Sequence, residues 1–158
     1  MRRALALLPL LLASCGSDTV ALELEFPSPD TFVRSETVRV FVVPLGEGQE
    51  GTCPELLMQA ELGPLETAVD DTGEVNICDF QAGASTVSEV GEGLRAYVAV
   101  AYSDAGQAYL TGCTVSDVYI DEPPLTVIMT PTAEYLGEYR AGDPSETCTP
   151  EMKCRGGC

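Results

Sequence analysis

Apolar and polar residues alternate at every second position in several short stretches of the chain. The clearest stretch is residues 20–26, where glutamates fall on one face and larger apolar side chains on the other. A period of two predicts a half-buried β-strand. Residues 37–43 repeat the pattern, and residues 94–102 are nearly apolar on both faces, which predicts a central strand. Residues 107–115 and 125–129 complete the set of clear strands.

The remaining pattern is weaker and contains one predicted helix. Thr52 is a suitable N-cap, Pro54 fits a first helical turn and Glu55 lies three residues after the cap, so about two helical turns are expected before Gly63. Short strands are predicted at residues 66–69, 74–80 and 85–90. No pattern continues through residues 141–158, where cysteines are the expected organisers.

These elements predict an all-β fold, namely a small antiparallel β-sandwich of about seven to eight short strands, with one short helix and a cysteine-rich C-terminal tail. Residues 80–129 resemble the second half of an Ig-like or transthyretin-like sandwich, as found in carboxypeptidase-regulatory-like domains. A glycine turn at residues 90–93 leads into the strand around residues 97–100 and then to Gly112 and Cys113. The resemblance implies a fold and no particular function.

The N-terminal segment has the layout of an export signal. Arg2 and Arg3 precede an apolar run at residues 4–13, which is too short to span a bilayer. The run ends in Leu12, Ala13, Ser14 and Cys15, which resemble the lipobox of bacterial lipoproteins. This resemblance implies a diacylglycerol on the Cys15 thiol, cleavage before Cys15 and acylation of the new amino terminus. The alternative is an ordinary signal peptide that ends near a cysteine.

This interpretation divides the chain and assigns a location. Residues 1–14 are the predicted removed signal, 15–19 a lipidated tether, 20–130 the sandwich domain and 131–158 an irregular cysteine-containing tail. The chain also resembles small lipoproteins of Gram-negative bacteria. Gly16 rather than aspartate follows Cys15, and by resemblance to the enterobacterial sorting rule this implies the outer membrane.

Charge and composition restrict the function. The chain has 8 basic and 25 acidic residues, a formal charge of −17, so it repels nucleic acid and anionic headgroups. It has no histidine, the commonest general base. Ser85 lies in a stretch without the second glycine of a nucleophile elbow. We therefore predict that the protein is not an enzyme and uses no cofactor.

Six cysteines remain once Cys15 is assigned to the lipid, and they allow 15 pairings into three disulfides. We predict one long-range bond between Cys53 and Cys113. Cys78 is then expected to pair with one of the three tail cysteines, Cys148, Cys154 and Cys158, and the other two with each other. Metal binding by the three tail cysteines is the alternative, although their spacing is unusual for zinc.

Two further surface features have open interpretations. Asp70, Asp71 and Glu74 resemble a calcium-ligating turn but lack the spacing of an EF-hand loop, so an acidic hairpin turn is favoured and no metal is predicted. The apolar side chains of Phe41, Val43, Tyr97 and Ile128 are expected to face outward. They form either a partner-binding patch or a face that another layer covers.

Three functional hypotheses remain. The first is a lipid-anchored, non-enzymatic binding or structural module with an unknown ligand, held at the membrane through Cys15. The second is an accessory subunit of an envelope secretion or export assembly, which requires an envelope protein partner. The third is a carboxylate-based hydrolase, which requires two close acids of different pKa in a pocket.

Overall fold

The structure is a computed structural model that describes residues 20–83, 87, 93–117, 124–136 and 148–158. The predicted signal, Cys15, the tether and most of the strand predicted at 85–90 lie outside the described residues. In the part described, the strands are β1 (Leu22–Glu25), β2 (Thr37–Pro44), β3 (Asp70–Asp71), β4 (Val75–Asn76), β5 (Leu94–Tyr102), β6 (Ala108–Asp117), β7 (Leu125–Ile128) and β8 (Thr130–Pro131). The helices are α1 (Pro29–Arg34), α2 (Cys53–Leu62), α3 (Ile77–Gln81) and α4 (Pro150–Cys154).

The larger sheet is antiparallel and is built on β2, β5 and β6. β5 lies in its centre and pairs with β2 on one side and β6 on the other. β3 and β4 both pair with the outer edge of β2, and β8 pairs with β6. The apolar runs along the sequence therefore predict the three main strands of this sheet.

The smaller sheet contains β1 and β7, and these two strands are parallel. Their register runs from Leu22 opposite Leu125 to Glu25 opposite Ile128. After β7 the chain passes through Met129 into β8, so a single segment belongs first to one sheet and then to the other. The prediction of antiparallel pairing is wrong for this pair, because local alternation carries no information about the direction of a distant partner.

Two apolar clusters lie on opposite faces of the larger sheet. The first includes Val40, Tyr97 and Leu110 from the large sheet and Val127 from β7, and the partly buried side chains of β1 pack against it. The second includes Phe41 and Val98 from the sheet and lies under Leu56 and Ala60 of α2. Both faces are thus covered, one by β1, β7 and short helices and the other by α2.

The single predicted helix is present and is longer than expected. α2 has 10 residues and ends at Gly63, whose φ of 155° suits glycine. Thr52 occupies the N-cap position but makes no side-chain capping hydrogen bond. Leu56 and Ala60 are buried because they lie one turn apart on the face that packs on the sheet.

Three further helices correct the prediction of one helix and an irregular tail. Residues 74–80, predicted as a strand, contain β4 and then α3. The Asn76 side chain caps α3 by accepting a hydrogen bond from the Cys78 N–H at 2.9 Å. Residues 66–69 contain a turn and no strand. α4 occupies part of the C-terminal segment, and Thr149 caps it by accepting from the Met152 N–H.

The four apolar residues expected to face outward do not share one surface. Phe41 and Val43 are buried under α2. Tyr97 is opposite Val42 in the sheet and is fully buried in the first cluster, so its predicted orientation is wrong. Ile128 alone remains exposed, at 60%. The covering layer α2 therefore accounts for Phe41 and Val43, whereas Tyr97 is buried on the opposite face of the sheet.

Candidate functional site

An apolar cleft lies between β1 and the two helices α1 and α3. Its volume is about 460 Å³, which falls within the roughly 300–1,000 Å³ typical of small-ligand sites. Five of its apolar lining residues come from these three elements, and a sixth, Phe26, directly follows β1: Leu22, Leu24, Phe26, Phe32, Ile77 and Phe80. The geometry is that of a binding site for an apolar group.

The alternation of β1 turns its apolar face toward the cleft. Leu22 and Leu24 are partly buried, whereas Glu23 and Glu25 between them are exposed. This agrees with the half-buried strand that the sequence predicts. The partial burial follows from the position of β1 in a two-stranded sheet, where its inner face contacts both the core and the cleft.

Helix α1 is held in place by a reciprocal cap. The Thr31 N–H donates to Ser28 Oγ at 3.3 Å, and the Ser28 N–H donates to Thr31 Oγ1 at 3.2 Å. Pro29 occupies the first turn, where no N–H is needed. The cap places Phe32 against Phe26 with ring centroids 5.1 Å apart in an edge-to-face arrangement. These contacts fix the position of Phe32 in one wall of the cleft.

The C-terminal segment fixes α1 and α3 relative to each other. Cys154 of α4 is bonded to Cys78 of α3. The neighbouring Lys153 Nζ donates to the carbonyl oxygens of Val33 and Ser35, both at 2.7 Å, and lies 3.3 Å from Glu36 Oε2. A cation at the last carbonyls of α1 also opposes the negative end of the helix dipole. The segment predicted to be irregular thus supports the cleft.

The electrostatic character of the cleft is neutral to acidic. Glu23 is the only charged side chain among its described lining residues, and Gln81 supplies an uncharged polar group. The formal charge of the whole chain is −17. An anionic ligand would meet repulsion without a basic side chain to offset it, so the site favours a neutral ligand.

The predicted disulfide residues lie together in pairs. The structure bonds Cys53 at the start of α2 to Cys113 in β6, with Cα atoms 5.7 Å apart. It also bonds Cys148 to Cys158 within the tail. The sequence predicts the Cys53–Cys113 bond but leaves open which tail cysteine joins Cys78, and in the structure this is Cys154. The three tail sulfurs are all in disulfides and are consequently not arranged as metal ligands.

The acidic segment is not the predicted hairpin turn, because β3 and β4 both pair with β2 and not with each other. Its carboxylates are engaged in protein contacts. Arg39 donates to both carboxylate oxygens of Asp71, at 2.7 and 2.5 Å. This hydrogen bonding holds the pKa of the Asp71 carboxyl below its ordinary value. Asp70 accepts from the Asp71 N–H at 2.8 Å, and Glu74 accepts from the Thr37 hydroxyl at 3.4 Å. Within the described ranges, no group of three metal-ligating side chains comes together.

We expect calcium to leave the stability of the domain essentially unchanged. The Asp71 carboxylate is already paired with Arg39, so calcium would have to displace a bidentate ion pair. Calcium and magnesium at millimolar concentration should give small, similar shifts in melting temperature relative to chelator, because both screen the surface charge alike. Thermal unfolding followed by circular dichroism measures this.

A matched pair of variants distinguishes screening from binding. Asp70→Asn changes the acidic segment while keeping the Arg39–Asp71 pair, and Asp104→Asn removes an acid from a turn elsewhere. A specific site at 100 times its Kd would add about 2.7 kcal/mol, which is several degrees. A rise of that size with calcium alone, abolished by Asp70→Asn and kept by Asp104→Asn, would show that a calcium site exists.

Sequence reasoning missed the cleft although it identified β1. Two of its three walls are short helices that were not predicted, and a six-residue helix such as α1 has too few turns for its periodicity to be visible. The one available indication was Ser28 followed by Pro29, which is a common helix start.

Comparison of the chain with models of protein families, with curated proteins and with solved structures finds no match. Of the helices in the described ranges, none has both the length and the apolar character needed to cross a bilayer.

Proposed function

We propose that this protein is a lipid-anchored module of a Gram-negative cell envelope, attached through Cys15 at the outer membrane, and that it binds an apolar ligand without catalysing a reaction. The observation that carries the proposal is the position of the cleft. Its wall begins at Val20, and Cys15 lies only five residues earlier in the chain. The binding site is thus adjacent to the proposed anchor.

The anchor itself is supported by the N-terminal sequence. A basic start, a short apolar run and the lipobox-like residues Leu12, Ala13, Ser14 and Cys15 occur in the required order. β1 enters the core directly after the tether. Removal of residues 1–14 would therefore leave the described domain intact.

Binding is favoured over catalysis by the chemistry available. The chain contains no histidine, and Glu23 is the only acid among the described residues of the cleft. A carboxylate-based hydrolase needs two acids in one pocket, so the hydrolase hypothesis has no support at this site. The ligand contacts are predominantly apolar, as is usual for sites that hold a ligand by burial.

A β-sandwich description of the fold is part of the proposal. It is supported by the smaller sheet, β1 and β7, which shares an apolar cluster with one face of the larger sheet. The arrangement differs from a purely antiparallel sandwich because β1 and β7 are parallel and because α2 covers the second face.

The accessory-subunit hypothesis is kept as a second candidate because of one surface feature. Met58 and Leu62 lie one turn apart on α2 and are 64% and 91% exposed. Exposed apolar side chains on one helix face are suited to contact another protein. Loss of a co-purifying envelope protein in Leu62→Gln, with the cleft unchanged, would favour this candidate over ligand binding.

Cys15→Ala is expected to abolish membrane attachment through lipid. The thiol that would carry the diacylglycerol is absent, so no acyl chain can be added, and each lost methylene removes about 0.8 kcal/mol of membrane affinity. Cell fractionation combined with intact mass measurement should show no processed, lipid-modified protein in the membrane fraction. Ser17→Ala, in the tether, should behave like the unchanged protein. Cys15→Ala protein that remains in the membrane fraction at full yield and processed mass would refute the anchor.

A further inference from the structure

The cleft is within reach of any group carried by Cys15. Val20 lies in the cleft wall, and five residues of extended chain span at most about 17 Å. A long flexible substituent on the Cys15 sulfur therefore needs no rearrangement of β1 to enter the cleft. Val20 and the apolar side chains of β1 pack against the first apolar cluster, so the position of Val20 relative to the cleft is fixed. The maximum distance from Cys15 to the cleft is therefore set by the length of the tether.

The character of the cleft matches an acyl chain. Its walls are formed largely by leucine, isoleucine and phenylalanine side chains, which neither donate nor accept hydrogen bonds. A methylene chain gains free energy for every carbon that it removes from water, so a chain bound along such walls needs no polar partner. The volume of about 460 Å³ is of the size found for small-ligand sites.

Charge distinguishes between possible acyl sources. Free fatty acids and anionic phospholipids carry negative charge, and the described lining of the cleft has Glu23 but no basic side chain to receive it. The lipid implied for Cys15 has a thioether-linked glycerol with ester-linked chains and an amide-linked chain, all of which are uncharged. It is also tethered, which gives it a high effective concentration at the cleft.

We propose that the cleft binds one acyl chain of the lipid on Cys15 whenever the protein is out of the bilayer. This inference rests on the proposed lipidation and names the ligand class of the same cleft. Binding removes the chain from water while the protein is in an aqueous compartment. When the protein is attached to a membrane, the acyl chain inserts into the bilayer and no longer occupies the cleft.

The test uses the chain from Cys15 to Cys158, with its other six cysteines in disulfides so that Cys15 carries the free thiol. Coupling Cys15 to N-hexadecylmaleimide is compared with coupling it to N-methylmaleimide. We expect the hexadecyl adduct to melt at least about 5 °C higher, because burying several methylenes in the folded state alone raises the melting temperature. It should remain monomeric in size-exclusion chromatography.

Two variants localise the effect. Leu22→Gln places an amide in the cleft wall and should reduce the difference between the two adducts by at least half. Met58→Gln makes the same kind of change on exposed α2, across the sheet, and should leave the difference unchanged. Because each variant is compared with its own methyl adduct, a change in its basal stability does not affect the result.

A second measurement reports occupancy directly. The apolar fluorophore N-phenyl-1-naphthylamine should bind the methyl adduct and bind the hexadecyl adduct at least about tenfold more weakly. Equal melting temperatures, equal fluorophore binding, an increment that Leu22→Gln leaves intact, or dimers that account for the increment would each overturn the proposal. The chain is attached chemically, so these outcomes are independent of the Cys15→Ala fractionation that tests cellular lipidation.

Discussion

Cys53→Ala is expected to lower the free energy of unfolding by about 4 kcal/mol, and Cys113→Ala by the same amount. The bond joins residues 60 apart, and closing a loop of that length restricts the unfolded chain by about this much. It also holds the first turn of α2 on β6, so that Leu56 and Ala60 remain over the second apolar cluster. Urea unfolding followed by circular dichroism measures the loss.

The double variant is the matched control. Because both single changes break the same bond, Cys53→Ala with Cys113→Ala should cost about as much as either one, and without leaving an unpaired thiol. Additive losses, clearly unequal single losses, or mass mapping that joins Cys53 to a tail cysteine would contradict this pairing.

Gly112→Ala is expected to destabilise the domain by about 1–3 kcal/mol, near the upper end of that range. Gly112 lies in β6 beneath the segment that leaves β7 for β8. A Cβ atom there would be 2.5 Å from the Ile128 carbonyl oxygen and 2.9 Å from both Met129 Sδ and Val127 Cγ1. The nearest atom belongs to the backbone of a paired segment and cannot move as a side chain can, so the overlap strains both sheets.

Gly51→Ala is the control for Gly112→Ala. An added Cβ at Gly51 meets no atom within 4 Å, and the backbone there does not need a positive φ. The free energy of unfolding of the Gly51→Ala variant should be unchanged or slightly higher, because alanine reduces the conformational freedom of the unfolded chain. If urea unfolding shows equal losses of stability for the two substitutions, the close approach of β6 and β7 does not exclude a side chain at position 112.

Much of the larger sheet can be predicted from the chain alone. Residues 94–102 are apolar at nearly every position and form β5, whose middle is buried on both faces. Residues 37–43 lie within β2, and residues 107–115 overlap β6. Burial on both faces leaves a long apolar run in the sequence, and the hairpin turn at Gly106, with φ of 72°, lies where the run is interrupted.

The cleft could not be predicted, because two of its three walls are short helices and distant contacts determine where these helices lie. Ile77 and Phe80 belong to a five-residue helix, which is too short to be stable alone. A disulfide to Cys154 and a backbone hydrogen bond from the Ile77 N–H to the Glu36 carbonyl hold it. The weak pattern of residues 74–80 is consistent with a short strand, and these distant contacts together with the Asn76 cap select the helix.

The sequence by itself determined the positions of the main strands along the chain, the acidic composition, the even set of cysteines after Cys15 and the lipobox-like start, since each of these depends on neighbouring residues or on composition. The tertiary structure decided that β1 pairs in parallel with β7, that α2 covers one face of the sheet and that Lys153 caps α1. These features join residues far apart in the chain. Their free energy comes from burial and hydrogen bonds that exist only after folding, so local patterns do not encode them.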